Sequence, residues 1–340
     1  MIAGPLGEAR NAMGIAQAAE TAGFELLGLG DNQSLWRDVY VSLTLAAHAT
    51  SAIRLGTCVT NLVTRHPAVT ASAIASVNEL SDGRAFLGIG PGDSSVLNIG
   101  ARAARLTDLE EGVRSIRLML AGDEVPVDGG SMHVGWSKRP VPIFMSAEGP
   151  RALELAGRIA DGVMVSYGLS AANVRAAEER IAAGAVAAGR DFASIEVWHA
   201  ARVAVADSAD DASRLSRAGM ASVAHHALRL SPEARGVPAD LVPAINELNA
   251  RYRPNAHAQP GDSPNALLVE ELGLMPYLTA RYALMGTPED CAGQLSALEE
   301  TGIRRLLLMF SGTEIASQVR RFQQDILPHY GSSGSPLDRP

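Results

Sequence analysis

Cysteine is nearly absent: the 340 residues include two, Cys58 and Cys291. Two thiols cannot build a disulfide framework, and neither has a metal-ligating neighbour at the usual spacing, so a reducing, cytoplasmic setting and no metal are expected. No run reaches the ~18 uncharged apolar residues that cross a bilayer. The opening stretch MIAGPLGEARNAMGI lacks a basic segment followed by an apolar core, so no export leader and no membrane partner are expected. Basic charge is in deficit, 29 Lys and Arg against 37 Asp and Glu, for a formal net charge of −8. A polyanion binder needs a basic stripe to displace counterions, so nucleic acid is not an expected partner. Charged residues are only 19% of the chain, hydrophobic ones 47%, and no long charge run suggests disorder. The length suits one large α/β barrel or two average domains.

What is present is a repeated alternation. Helical spacing over Gly7–Ala22 is followed by an apolar strand over Phe24–Leu29, and the pattern recurs. Further strands are expected at Ile53–Val59, Ala85–Ile89, Val141–Met145, Gly162–Ser166, Ile195–Val205 and Arg304–Phe310. Helices are expected at Val39–Ala49, Pro67–Leu80, Leu106–Leu120, Arg151–Ile159, Ala171–Ala188, from Ala209 onward, Pro288–Glu300 and Glu314–Leu327. Continuous apolar strands between amphipathic helices imply a parallel α/β sheet. Seven strands are clear, and Met1–Gly4 supplies a short or truncated first one for a (β/α)8 TIM barrel. A doubly wound sheet would carry a glycine fingerprint after its first strand, where this chain reads GDNQSLW.

The expected organisation is a single barrel domain over residues 1–330. Residues 122–139, with Asp128, Gly129 and Gly130, read as a small hairpin or loop. An insertion between strands seven and eight, residues 230–282, contains Pro232, Pro238, Pro243, Pro254, Pro260, Pro264 and Pro276. Its prolines and few long apolar runs point to a lightly packed lid. Residues 331–340 read as a disordered tail.

Barrel active sites gather at the carboxyl ends of the strands, so the informative residues follow each apolar run. These are Asp31, Asn32 and Trp36; Thr60, Asn61, Arg65 and His66; Gly90, Gly92, Asp93 and Ser94; Ser146, Glu148, Gly149 and Arg151; then Tyr167 and Gly168. SAEGPR reads either as an anion site, with Ser146, Gly149 and Arg151 at a helix N-terminus, or as an ordinary helix start with Pro150 in its first turn. Asp93 is the candidate acid, with a helix N-cap as the alternative. His66 reads equally as a helix-start residue. His225 and His226 have no carboxylate at ligand spacing, and no Gly-x-Ser-x-Gly elbow is present.

The stretches GTCVTNLVTRHPAVTASAIASVNELSDGRAFLGIGPGDSS, SAEGPRALELAGRIADGV and MGTPEDCAGQLSALEETGIRRLLL resemble the luciferase-like flavin and deazaflavin oxidoreductases, in particular the methylenetetrahydromethanopterin reductase branch. The resemblance, from about Gly7 to Leu327, implies a barrel, a homodimer and a tricyclic ring at the strand ends. It implies a phosphate on Ser146, Glu148, Gly149 and Arg151. It places the ring by Asp31, Cys58, Val59, Thr60, Asn61, Gly90, Gly92, Tyr167 and Gly168, with a cis Cys58–Val59 peptide. Asp93 matches an acidic position of deazaflavin members and Trp36 an active-site tryptophan. Asn32 stands where a sugar-phosphate dehydrogenase branch keeps a catalytic His, which argues against that alcohol oxidation.

Pro91, where many FMN members have Arg, favours the deazaflavin coenzyme F420 and hydride transfer to or from a small substrate with a C=C, C=N or C=O bond. An FMN-dependent monooxygenase and a non-catalytic flavin-binding relative are the alternatives. Cys58 is expected to pack rather than to act as a nucleophile.

Overall fold

The computed structural model describes residues 1–3, 7–127 and 129–331, grouped into two compact units. Met1–Val165 with Ala177–Trp198 makes the first, and Ser166–Ala176 with His199–Pro340 the second.

The first unit alternates strand and helix: β1 (Ile2–Ala3), α1 (Asn11–Thr21), β2 (Leu26–Leu29), α2 (Val39–Ala49), β3 (Arg54–Thr57), α3 (Pro67–Leu80) and β4 (Ala85–Ile89). A one-turn α4 (Ser94–Leu97), α5 (Leu106–Ala121), the hairpin β5 (Val125–Val127) and β6 (Gly130–Met132), β7 (Ile143–Ala147), α6 (Pro150–Ile159), β8 (Gly162–Val165) and α7 (Ala171–Ala187) follow. Strands β1, β2, β3, β4, β7 and β8 pair in that order, all parallel, with Leu27 opposite Leu55 and Leu87 opposite Ile143. Every residue of β2, β4 and β8 is buried, the signature of a parallel sheet covered on both faces. Phe86 and Phe144, ring centroids 5.2 Å apart, sit at the centre of this core.

The second unit is built on β9 (Glu196–Val205), whose first three residues belong to the first unit. It continues through α8 (Ala209–Leu228), α9 (Val242–Arg251), α10 (Pro264–Glu271), α11 (Met275–Tyr282), β10 (Ala283–Gly286), α12 (Pro288–Glu299), β11 (Leu306–Phe310), α13 (Ile315–Asp325) and α14 (Leu327–Gly331). β9 pairs in parallel with β11, His199 opposite Leu306, and with β10, Arg202 opposite Ala283.

All seven apolar runs form strands, and the deficient first strand is two residues long. β7 lies two residues later than expected, so Ser146 is inside the strand, opposite Met164, rather than beyond it. β10 was not foreseen, because its four residues lie between two helical patterns. The expectation of a lightly packed 230–282 segment does not match the packing. Ile245, Leu248, Leu268, Val269, Leu274 and Leu278 are buried in one core with Met220, Val223 and Leu228 of α8. The physical reason is the position of the prolines: Pro243, Pro264 and Pro276 stand in the first turns of α9, α10 and α11, where a missing N–H costs nothing. Gly331 ends α14, while Gly4, Asp128 and tail residues 332–340 lie outside the described residues.

Candidate active site

The ends of β2, β3 and β4 meet through one hydrogen-bonded network in the first unit. The Asp31 carboxylate is buried and accepts from Thr60 Oγ1 at 2.7 Å and from Arg65 Nε at 3.3 Å. Arg65 also donates Nη2 to Asp38 at 2.7 Å and lies over the Tyr40 ring, 5.0 Å from its centroid. Burial works against the Arg65 charge, but the hydrogen bonds and charges of Asp38 and Asp31 outweigh it and hold the guanidinium above its ordinary pKa. Burial likewise works to raise Asp38; its bonds from Arg65 and from the Val41 and Tyr40 N–H groups hold it below the usual range. Burial and the Asp31 charge push the Tyr40 phenol up, so it stays neutral. Asp38 also caps α2, accepting from Tyr40 N at 2.9 Å and Val41 N at 3.1 Å.

Two amides join these loops. Asn32 donates to Ser94 Oγ at 2.8 Å, and Asn61 donates to Ser95 Oγ at 3.2 Å while accepting from Val63 N and Thr64 N at 2.9 Å each. Thr60 N bonds the Gly88 carbonyl at 3.0 Å and the Thr60 carbonyl accepts from Gly90 N at 3.0 Å, so the loop continues the ladder past β3. Trp36 is half-buried and its ring lies against Gly30, where an added Cβ would stand 2.4 Å from Cζ3. Only glycine lets the indole lie there.

Cys58–Val59 is a cis peptide. The Cys58 N–H bonds the Leu29 carbonyl at 2.7 Å, and burial pushes its thiol up to about 12. It is therefore protonated at neutral pH, as a packing residue should be. Val59 Cγ2 stands 3.1 Å from where a Gly90 Cβ would be. Gly92 turns the chain at φ +96°, and Asp93 follows at the N-cap of α4. The Asp93 carbonyl accepts from Val96 N and Leu97 N, but its carboxylate does not cap the helix.

Gly149 is the N-cap of the ten-residue α6 and gives it no side-chain cap. Arg151 in its first turn is exposed and makes no ion pair among the described residues; Glu148 is half-buried beside it in sequence. His66 is a helix-start residue, accepting the Ala68 N–H on Nδ1 at 3.2 Å. Tyr167 and Gly168 belong to the second unit, where Arg281 Nη2 donates to the Tyr167 carbonyl at 3.0 Å. Asp38 and Tyr40 escaped the sequence reading; the available signal was an Asp opening a helix two residues before a tyrosine. No group of His, Cys, Asp and Glu among the described residues could hold a metal ion.

The luciferase-like monooxygenase family model matches residues 3–305. The chain belongs to the luciferase-like monooxygenase family. It is 33% identical over 303 residues to a 5,10-methylenetetrahydromethanopterin reductase of Methanolobus tindarius, covering 86% of this chain and 87% of that one. It is 36% identical over 196 residues to an F420-dependent hydroxymycolic acid dehydrogenase of Mycobacterium tuberculosis, 52% of this chain and 54% of that one. The solved coenzyme F420-dependent tetrahydromethanopterin reductase of Methanopyrus kandleri superposes with a TM-score of 0.75 at 25% identity, covering 97% and 98%. A monooxygenase from Streptomyces bottropensis shares the fold, with a TM-score of 0.64 at 18% identity over 95% and 93%. The fold class is the (β/α)8 TIM barrel, and this family member is a flavin- or deazaflavin-dependent oxidoreductase. No helix among the described residues is long and apolar enough to cross a membrane.

The residues present fit such a group. An uncapped α6 N-terminus with an unpaired guanidinium in its first turn has the donor set of a phosphate site. The small residues Gly90 and Cys58 and the hydroxyl and amide groups of Thr60, Asn61, Ser94 and Ser95 offer a planar ring a close, neutral, hydrogen-bonding wall.

Proposed function

We propose that this family member transfers hydride between F420 and a small organic substrate with a C=C, C=N or C=O bond. The observation that carries the reading is the match over 86% of the chain to a methylenetetrahydromethanopterin reductase. The coenzyme, when bound, supplies a two-electron hydride carrier that does not activate oxygen. Gly149 and Arg151, with Ser146 and Glu148 beside them, hold its phosphate. The backbone at Cys58, Val59, Thr60, Asn61, Gly90 and Gly92 backs the ring, and Asp31 fixes Thr60. Asp93, at the N-cap of α4 directly after the Gly92 turn, exchanges the proton that accompanies hydride. Asn32 orients Ser94, and Trp36 walls the substrate.

The test is calorimetric titration of the purified protein with F420 and with FMN. Micromolar F420 binding, at least ~10-fold tighter than FMN, supports the proposal; the reverse order makes the chain an FMN monooxygenase, the second reading, which Pro91 disfavours. A cytoplasmic homodimer is part of the proposal, the exposed Val41 of α2 and Val69 of α3 being apolar side chains a second copy would cover. Light scattering that reads the mass of one copy would set the dimer aside.

A further inference from the structure

Arg65, on the loop between β3 and α3, ties that loop to two other segments of the first unit. Its guanidinium forks onto Asp31, just past β2, with Nε to Oδ2 at 3.3 Å and Nη2 to Oδ1 at 3.5 Å. Nη2 also donates to Asp38 Oδ2, at the start of α2, at 2.7 Å. The buried Tyr40 ring, its centroid 5.0 Å from the guanidinium carbon, adds a cation–π contact. Nε and Nη2 are thus spent inside the network, and Arg65 acts through the groups it holds. The most enclosed of these is Asp31, whose Oδ2 also accepts from Thr60 Oγ1 at 2.7 Å.

Thr60 is where this network meets the loop that backs the ring. Its N–H donates to the Gly88 carbonyl and its carbonyl accepts from Gly90 N, each at 3.0 Å. The side chain of Thr60 is therefore tied to the end of β2 while its backbone is tied to β4. A hydrogen bond to a carboxylate is about twice as strong as one to a neutral acceptor, and an enclosed carboxylate needs a fixed cation beside it. Arg84 serves as the contrast, because its donors end on Ile53 and Thr50 before β3 and on Ser81 before β4, at the opposite ends of those strands. We propose that Arg65 is a positioning residue of the cofactor site: by fixing Asp31 it fixes Thr60, and with it the backbone from Cys58 to Asn61 on which the ring rests. This rests on the reading of the first unit as an F420 or FMN site and adds to it a residue acting at one remove from the ring.

The experiment titrates the purified full chain with F420 and with FMN, well below the thermal midpoint of every variant and with folding checked by circular dichroism. Arg65→Met should bind the parent's preferred cofactor at least ~10-fold more weakly. Arg65→Lys, which keeps the charge and loses the fork, should recover part of the affinity. Thr60→Val should weaken binding by itself, and Arg65→Met added to it should cost less than ~3-fold more, because the two residues act through one chain of contacts. Arg84→Met should unfold earlier and still bind within ~2-fold of the parent. Arg65→Met that binds within ~2-fold, an inert Thr60→Val, or losses that multiply in full in the double variant overturn the proposal and leave Arg65 a structural residue. Amide exchange in the cofactor-free chain is the second readout: Arg65→Met should speed the Thr60 and Gly90 N–H groups at least ~10-fold more than the amides of β8, and equal acceleration overturns the proposal as well. A parent that binds neither F420 nor FMN defeats the cofactor reading, while exchange at Thr60 and Gly90 still decides whether Arg65 fixes that backbone.

Discussion

Arg65→Met should destabilise the first unit, and the size of the loss follows from the two carboxylates it serves. The Asp31 side chain is 5% exposed, Asp38 42% and Arg65 23%. The Asp38 pair is largely solvated and contributes about 0.2–1 kcal/mol. Asp31 is different, because removal of Arg65 leaves its buried carboxylate with Thr60 Oγ1 as its side-chain donor. Breaking a buried pair costs about 3–5 kcal/mol, and the partial exposure of Arg65 brings this toward ~2–3 kcal/mol. Urea unfolding near pH 7 measures it. The pH sign comes from Asp38, whose folded pKa lies below its unfolded value. Its contribution is present above the unfolded value of about 4 and is lost as pH falls through the lower folded one. The gap between parent and Arg65→Met should therefore narrow as pH falls below about 4 and the parent loses the Asp38 contribution. Asp31→Asn in the Arg65→Met background should recover part of the loss, since the stranded charge is then absent. A loss under ~0.5 kcal/mol at pH 7, or one as large at pH 3 as at pH 7, would refute the reasoning.

Arg151→Ala should weaken F420 or FMN binding by about 1–3 kcal/mol, the worth of a charge-assisted contact, measured by titration; unchanged affinity returns Arg151 to a helix-start role. Both thiols are pushed from 9.0 up to about 12 by burial, so thiolate should be about a thousandfold scarcer than in a free cysteine. Disulfide-reagent titration of the folded protein at pH 8 should be correspondingly slow for both, and a fast first equivalent would contradict the burial. Residues 230–282, proposed as a lid, should exchange amide hydrogens more slowly when F420 is added; no change would make the segment a structural insertion.

The strands were legible because both faces of a parallel sheet are buried, so β2 and β4 are unbroken apolar runs that no helix of that length would produce. The same logic misplaced β7. Val141 is apolar and buried but precedes the strand, and apolarity reports burial rather than pairing. Strand-end polar residues could be picked out because the barrel frame says where to look, and Thr60, Asn61, Asn32 and Ser94 do meet. The links among them are another matter. Arg65 joins Asp38 across 27 positions and Asp31 across 34, and no local propensity encodes such a pair. Proline misled in the opposite direction: as a breaker it suggests loose chain, yet in a first turn it starts a helix and lets the residues after it pack.

Arginine shows why burial alone does not mark a site. Arg84 is part-buried, and its guanidinium donates to the carbonyls of Ser81, Ile53, Ala47 and Thr50 as well as to Thr50 Oγ1, closing one end of the first unit. Arg281 is buried with its donors spent on Tyr282 and Tyr277 hydroxyls and on the carbonyls of Gly236, Tyr167 and Arg235. Arg65 is answered by two carboxylates. Each of these cations is accounted for by its own surroundings, and each is explained by folding: the hydrogen bonds it makes replace the water it lost. What makes an arginine part of the framework is thus the balance of its donors against the acceptors around it, which the fold settles and residue type does not.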